Sequence, residues 1–134
     1  MATDSALPSS ELGRYITFAD VAKTTETPVD TIVTWHRLIR AMGFAFGEKI
    51  RGCWNFSPHE LYQFQIAASL STAGHPVGIE TIRQILEATK DTARPDGSLF
   101  LKTKSTFAII AVNLPGLWDV LAHMLQRAAD AIED

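Results

Sequence analysis

Three helix-start signals constrain the fold of this chain more than any other feature of its sequence. Each is a Ser or Thr followed three residues later by an acidic residue: Thr17 to Asp20, Thr27 to Asp30, and Ser57 to Glu60. The hydroxyl oxygen of such a box accepts a hydrogen bond from a backbone N–H that the first helical turn leaves unpaired. Pro28 and Pro58 follow two of these hydroxyl residues, and proline suits the first position of a helix. We therefore expect a mainly α-helical chain.

The same signals predict where the helices lie. Helices are expected over residues 18–24, 28–41, 58–73 and 79–90, and a last helix is expected from about Leu117. The fourth segment follows a break at Pro76, and its isoleucines recur at helical spacing. That spacing predicts one buried stripe along this helix.

Two glycine-rich or β-branched segments between these helices favour β-hairpins. Residues 43–56 contain Gly43, Gly47 and Gly52 among apolar and basic residues, which is typical of a short hairpin. The runs Leu99–Lys104 and Phe107–Val112 predict a second hairpin, because β-branched and aromatic residues favour strands.

The composition is that of one globular domain, or of a small domain with an appendage. The chain has 134 residues, of which 46% are hydrophobic and 20% are charged, and this is enough apolar material for a core. Its one cysteine, Cys53, excludes an internal disulfide and a thiolate-rich zinc or iron–sulfur site. We expect no metal and no cofactor.

Neither secretion nor membrane insertion is expected. Residues 1–13 lack the basic start and apolar stretch of a signal peptide, and predict a flexible arm. The most apolar window, 106–125, is interrupted by Asn113, Pro115 and Asp119, so it falls short of the roughly 18 apolar residues of a membrane span. We therefore expect a cytoplasmic protein.

The order of the first elements is typical of a winged helix-turn-helix, in which the second of two short helices enters the major groove of DNA. Residues 14–56 favour this interpretation, because they carry six basic and four acidic side chains although the chain has a net charge of -3. Four segments, in order, resemble regulators of the MerR family. They are Tyr15–Lys23, Pro28–Ile32, Gly52–Phe56 and Ser57–Leu61.

This resemblance covers about residues 14–90, and implies a homodimeric transcriptional regulator that binds palindromic promoter DNA and distorts it. The chain also departs from the family pattern. Val33 stands where an arginine is usual, Asp30 where a basic residue is usual, and Trp54 where the arginine of the wing is usual. Arg51 is the nearest substitute, and Glu26 replaces the usual glycine of the turn. Fewer phosphate contacts are therefore expected than the family makes.

The second predicted helix has a polar face that suits DNA contact. At roughly 100° per residue, this face contains Asp30, Thr31, Thr34 and Arg37, and the opposite face contains Pro28, Val29, Ile32, Trp35, His36 and Ile39. Threonine suits phosphates and thymine methyls, and arginine suits guanine or phosphate. The predicted DNA-binding residues are Arg14, Lys23, Asp30, Thr31, Thr34, Arg37, Arg40, Lys49, Arg51 and Trp54. An ordinary solvent-exposed face is the alternative, while Phe56 is expected in the core.

The last predicted helix has a wider apolar surface than packing on its own domain requires. Its apolar residues cover an arc of roughly 200°, whereas such packing needs somewhat over about 100°. The excess predicts a homodimer, with deep burial in the chain's own core as the alternative. The predicted interface residues are Leu117, Trp118, Leu121, Met124, Leu125, Ala128 and Ile132.

Catalysis is not expected. The sequence has no glycine-rich phosphate loop, no His-x-His, no Cys-x-x-Cys and no Gly-x-Ser-x-Gly. Cys53 and His59 have the spacing of half a metal site, but Cys53 is expected to be a small buried apolar residue.

The expected fold class is mainly α, with a MerR-like winged helix-turn-helix followed by a short β-hairpin and a C-terminal amphipathic dimerisation helix. The arm spans residues 1–13, the DNA-binding domain 14–90, and the dimerisation or regulatory appendage 91–134. The expected function is a nucleoid-associated regulator that binds double-stranded DNA as a homodimer. Two alternatives stay open: a degenerate winged helix that binds RNA polymerase or another regulator, and an excisionase-like factor that bends DNA.

Overall fold

The chain folds into a mainly helical structure with two small antiparallel hairpins, as the helix-start signals predict. The computed structural model describes residues 16–102 and 109–133. Its helices are α1 (Phe18–Thr25), α2 (Val29–Ala41), α3 (Pro58–Thr72), α4 (Ile79–Ala88) and α5 (Leu114–Glu133). Its strands are β1 (Glu48–Ile50), β2 (Cys53–Asn55), β3 (Leu99–Lys102) and β4 (Ile109–Val112). No helix in this part of the chain is long and apolar enough to cross a membrane.

Two of the three predicted capping boxes are confirmed. Thr17 Oγ1 accepts a hydrogen bond from the Asp20 backbone N–H at 3.3 Å, and Ser57 Oγ accepts one from Glu60 at 3.1 Å. In both boxes the acidic side chain accepts from the backbone N–H of the capping residue. These reciprocal bonds satisfy donors that would otherwise be unpaired, and so they fix the starts of α1 and α3.

The predicted capping box of α2 is wrong. The backbone stays extended at Pro28 and becomes helical only at Val29, so Pro28 itself occupies the capping position and supplies no side-chain hydrogen bond. The Thr27 hydroxyl instead donates to the Thr25 carbonyl at 3.1 Å. The helix therefore starts one residue too late for Thr27 to reach the amides of its first turn.

A short turn joins α1 to α2, and Glu26 makes it possible. Glu26 adopts the left-handed conformation, with φ of 52° and ψ of 43°, and its N–H donates to carbonyls in the last turn of α1. A residue with a Cβ loses about 1–2 kcal/mol in this conformation. The turn thus keeps the geometry expected of a glycine position although the residue is glutamate.

The first hairpin, β1–β2, turns through two residues. Arg51 and Gly52 both have positive φ, of 52° and 82°, which suits the twist of a two-residue hairpin turn. Lys49 lies directly opposite Trp54 in the register. The backbone N–H of Phe56 also donates to the Ile16 carbonyl at 2.8 Å, so the hairpin is joined to the segment that precedes α1.

Helix α3 is the centre of the core, because α1, α4 and α5 all pack against it. Its side chains are buried on every side, including those of Tyr62, Phe64 and Ile66. The Tyr62 hydroxyl donates to the Leu114 carbonyl at 2.9 Å, which fixes the start of α5. Helix α5 begins at Leu114, three residues before the expected Leu117.

Two residues of the predicted dimer interface lie instead in the core of the single chain. Trp118 is 2% exposed and Leu121 is 1% exposed, and the Trp118 ring packs edge-on against Tyr62 of α3 at 5.1 Å. Leu117 and Leu125 are half-buried, and Met124 is exposed. The side chains of Ala128 and Ile132 lie outside the described residues, as do Arg14 and the predicted arm 1–13.

Candidate nucleic-acid interface

An aromatic cluster supports the contact between α2 and the first hairpin. It consists of Phe18, His36, Phe46, Trp54, Phe56 and Phe64. Phe56 lies at its centre, is 4% exposed, and has its ring centroid within 6.0 Å of those of Phe18, His36, Phe46 and Phe64. The expectation that Phe56 belongs to the core is confirmed. Because edge-to-face aromatic pairs have a preferred geometry, this cluster fixes the orientation of the hairpin on the helices.

His36 is the polar member of this cluster. Its Nε2 lies 2.9 Å from the Phe46 carbonyl oxygen, and Nε2 carries the proton because a carbonyl only accepts. Burial lowers the pKa of His36 below its ordinary value, and the positive charge of Arg40 lowers it further. The Phe46 hydrogen bond and the charge of Glu60 oppose that shift. A neutral His36 therefore joins α2 to the segment that leads into β1.

Glu60 fixes the base of the first hairpin to α3. One carboxylate oxygen accepts from the Gly47 N–H at 2.7 Å, and the other accepts from the Ser57 N–H at 2.9 Å. Gly47 has a φ of 79°, and a Cβ there would lie 2.7 Å from the Phe56 ring. A glycine is required at this position on both counts. The result is a hairpin held at a fixed angle to α2.

Helix α2 presents an exposed polar face beside this hairpin. Asp30, Thr34 and Arg37 are exposed, and their spacing places them on one side of the helix. Thr31 is half-buried at the edge of that face. The Thr34 hydroxyl donates to the Asp30 carbonyl at 2.9 Å. Thr34 can therefore contact a ligand as a hydrogen-bond acceptor or through its methyl group.

The opposite face of α2 is buried from Ile32 onward, whereas Pro28 and Val29 at its start are exposed. Ile32, Trp35, His36 and Ile39 are buried. Val29, however, is 43% exposed. It lies in the first turn, before α2 reaches the core.

Four basic residues lie on α2 and the first hairpin, and together we call them the basic face: Arg37, Arg40, Lys49 and Arg51. All four side chains are exposed. The Arg40 guanidinium carbon lies 4.6 Å from the centre of the Trp54 ring, and the Lys49 Nζ lies 5.9 Å from it. Arg51 projects at the tip of the hairpin turn.

The basic face has no carboxylate partner within residues 16–102 and 109–133. The ion pairs of this part of the chain are Arg83–Glu80, Lys90–Glu87 and Arg94–Asp119, all outside α2 and the first hairpin. Glu60, the carboxylate at the hairpin base, accepts from backbone amides instead. The positive charge of the basic face is therefore available to an anionic partner.

The remaining predicted residues lie around this face. Lys23 is exposed in the last turn of α1, and Trp54 is half-buried between α2 and the hairpin. Cys53 is exposed, so the expectation of a buried thiol is wrong. It lies opposite Ile50 in a two-stranded hairpin, with its side chain exposed. No cluster of three metal-binding side chains occurs among the residues that the structure describes.

A concave surface lies between α3, the end of α4 and the start of α5. It is a half-open cleft of about 450 Å³, and its lining includes Tyr62, Thr89, Arg94 and Ser98. Arg94 donates two hydrogen bonds of 2.8 Å to the Asp119 carboxylate, and the Tyr62 hydroxyl is bonded to Leu114. The Arg94 guanidinium and the Tyr62 hydroxyl are therefore already bonded within the chain.

Sequence reasoning identified the basic residues and missed what organises them. The contacts of His36 with Phe46, of Glu60 with Gly47 and of Arg40 with Trp54 join elements that are separated in the chain. The signal that was present is the density of aromatic residues between 44 and 56. No family model, curated protein or solved structure matches this chain.

Proposed function

We propose that this protein is a sequence-specific DNA-binding regulator of transcription in which α2 and the first hairpin act as the recognition helix and wing of a winged helix-turn-helix. The observation that carries the proposal is the basic face, because these two elements carry four exposed cations that have no carboxylate partner among the described residues. Phosphate contacts supply most of the affinity of proteins for duplex DNA. A surface whose cations are paired internally would not serve this role.

The polar face of α2 supplies the residue types that distinguish base pairs. Arg37 can donate two hydrogen bonds to a guanine edge, and the Thr34 methyl can contact that of thymine. Asp30, exposed in the first turn of α2, accepts from a cytosine amine but repels phosphates. We therefore propose that α2 enters the major groove, with Arg40, Lys49 and Arg51 on the phosphates that flank it.

We propose further that the protein binds a palindromic site as a homodimer. Val120 and Met124 of α5 are 61% and 45% exposed, and their spacing places them on one face of the helix. Exposed apolar side chains on one helix face favour association. This assignment replaces the buried Trp118 and Leu121 with residues that a second copy can reach.

The dimer has a direct test. Val120→Glu places a charge on the exposed face of α5 and is expected to give a folded monomer by light scattering, with weakened binding to a full palindrome. Ile79→Glu, which places the same charge at an exposed apolar residue of α4, is the matched control. An unchanged dimer mass in Val120→Glu would refute the assignment, as would a wild-type protein that is monomeric at all concentrations.

DNA recognition is tested by selection from a random duplex pool, followed by affinity measurements across a salt series. Z phosphate contacts give a slope of log K against log salt of roughly -0.9Z. An enriched palindrome and a slope of about -3 or steeper would support the proposal. No enrichment and a flat slope would refute it and favour a protein partner. A long footprint over clustered sites, with strong bending, would favour an architectural factor instead.

A further inference from the structure

Trp54 has contacts that set it apart from an ordinary surface aromatic residue. The Arg40 guanidinium carbon and the Lys49 Nζ lie 4.6 Å and 5.9 Å from the centre of its ring. The His36 ring meets the same indole at 4.6 Å in an edge-on arrangement. One side chain of the first hairpin thus contacts two cations and one buried residue of the aromatic cluster.

These contacts follow from the sequence positions of the residues. His36 and Arg40 are four residues apart on α2 and so lie on one face of that helix. Lys49 is the cross-strand neighbour of Trp54, and directly opposite residues of a hairpin have adjacent side chains. Helix and hairpin therefore each contribute one cation to the same ring, and His36 supports the ring from the core.

Arg40 and Lys49 bring two positive charges to one aromatic ring. The ring attracts each cation through its negative face, but the two cations repel each other. Neither has a carboxylate partner within the described ranges 16–102 and 109–133. An oxyanion can neutralise both charges, because it accepts hydrogen bonds from guanidinium and ammonium groups.

We propose that Trp54 is a positioning residue whose ring holds Arg40 and Lys49 together as a phosphate-binding site at the junction of α2 and the first hairpin. The site rests on the proposed function, and names the phosphodiester of the DNA backbone as its ligand. Long cationic side chains lose rotamer freedom on binding, and the ring restricts both of them beforehand. Trp54 itself acts through these two side chains and does not read a base.

The first experiment compares Trp54→Phe with Trp54→Leu, each in the full chain. Phenylalanine keeps an aromatic face for the cations, whereas leucine fills space without one. Trp54→Leu is expected to lose about tenfold in affinity for the selected duplex and to flatten the salt slope by about one unit or more. Trp54→Phe is expected to retain most of both. Equal losses in the two variants, or an unchanged slope in Trp54→Leu, would overturn the proposal.

The second experiment needs neither DNA nor a change at Trp54. Trp35 and Trp118 are 4% and 2% exposed, so quenching of tryptophan fluorescence reports chiefly on the half-buried Trp54. Iodide, an anion, is expected to quench the wild-type protein more than Arg40→Gln, relative to neutral acrylamide. Inorganic phosphate is expected to protect the wild-type protein from iodide. Arg83→Gln, which removes an exposed arginine of α4, is the control and should behave as wild type.

The two experiments separate this proposal from the function on which it rests. If phosphate protects the fluorescence from iodide only when Arg40 is present, the site is supported even if no duplex is selected. Its ligand would then be the phosphate group of a partner other than DNA. Equal iodide quenching in wild type and Arg40→Gln would overturn the site even if the protein binds DNA with a steep salt slope. If Trp54→Leu does not fold, the quenching comparison between wild type and Arg40→Gln tests the site.

Discussion

Two regions of this molecule differ in whether their basic side chains pair with carboxylates. In α4 and the segment that follows it, residues 79–98, Arg83, Lys90 and Arg94 each pair with a carboxylate. In α2 and the first hairpin, the four cations of the basic face have no such partner among the described residues. Both sets are at the surface, so exposure alone does not distinguish them. A carboxylate neutralises the charge of a paired arginine, whereas an unpaired group of cations on a rigid support suits an external anion.

The largest effect on stability is expected from a change in the aromatic cluster that supports the basic face. Phe56→Ala removes the central ring of the aromatic cluster, and is expected to lower the free energy of unfolding by about 3–5 kcal/mol, as large-to-small core substitutions do. Urea unfolding followed by circular dichroism measures it. Phe100→Ala, at a ring of the second hairpin that is 66% exposed, is the control and should change stability by about 0.5 kcal/mol or less. Similar losses at both sites would contradict the central role of Phe56.

The contrast between paired and unpaired arginines is tested by matched substitutions. Arg37→Ala is expected to weaken binding of the selected duplex by about 1–3 kcal/mol, because it removes a contact to a base edge or phosphate. Its unfolding free energy should stay at the wild-type value, since the side chain is exposed and unpaired in the part of the chain described. Arg83→Ala should leave binding unchanged. Equal binding by wild type and Arg37→Ala would remove this residue from the interface.

The two regions are also expected to respond to acid at different pH. Burial lowers the pKa of His36 in the folded chain, so below about pH 6.5 the unfolded chain binds more protons. The stability that a neutral His36 provides is complete above that pH and is lost as the pH falls through it. Unfolding free energies at about pH 7.5 and about pH 5 measure the loss.

His36→Gln is the control for this pH dependence, because its amide can donate to the Phe46 carbonyl without titrating. The variant should lose less stability than wild type between the two pH values, and an identical loss would exclude His36 as the cause. The hydrogen bonds from Arg94 hold the pKa of Asp119 below its ordinary value of 3.8. Its contribution is therefore present above about pH 3.8 and is lost only as the pH falls further.

The sequence predicted those parts of the structure that depend on neighbours along the chain. Thr17 and Ser57 cap their helices because each capping box is local, whereas the start of α2 was misplaced by one residue because Pro28 occupies the capping position and not the first helical position. The contacts that organise the candidate site are between distant segments. Nothing local to Glu60 indicates that it accepts from Gly47, and nothing local to Trp54 indicates that Arg40 lies over it.

Helix α5 is a second element whose contacts with distant segments could not be predicted from its own sequence. Its wide apolar arc was recognised from the sequence, but an arc does not say which of its residues face the chain's own core. Packing against α3 buries Trp118 and Leu121 and leaves Val120 and Met124 exposed. That division depends on where α3 lies, which no pattern within α5 encodes.

The smallest expected effect is at the best-formed ion pair of the second region. Arg94 donates two hydrogen bonds to Asp119, yet both side chains are exposed, and exposed pairs contribute little to stability because water solvates the separated charges well. Arg94→Gln should shift the melting temperature only slightly, and Asp119→Asn should give a similar shift. The double variant should add almost nothing, since either change already removes the pair. None of the three should alter duplex affinity or its salt slope. If Arg94→Gln lost as much duplex affinity as Arg37→Ala, an arginine paired with a carboxylate would contribute to DNA binding as an unpaired one does. The distinction between the two regions would then fail.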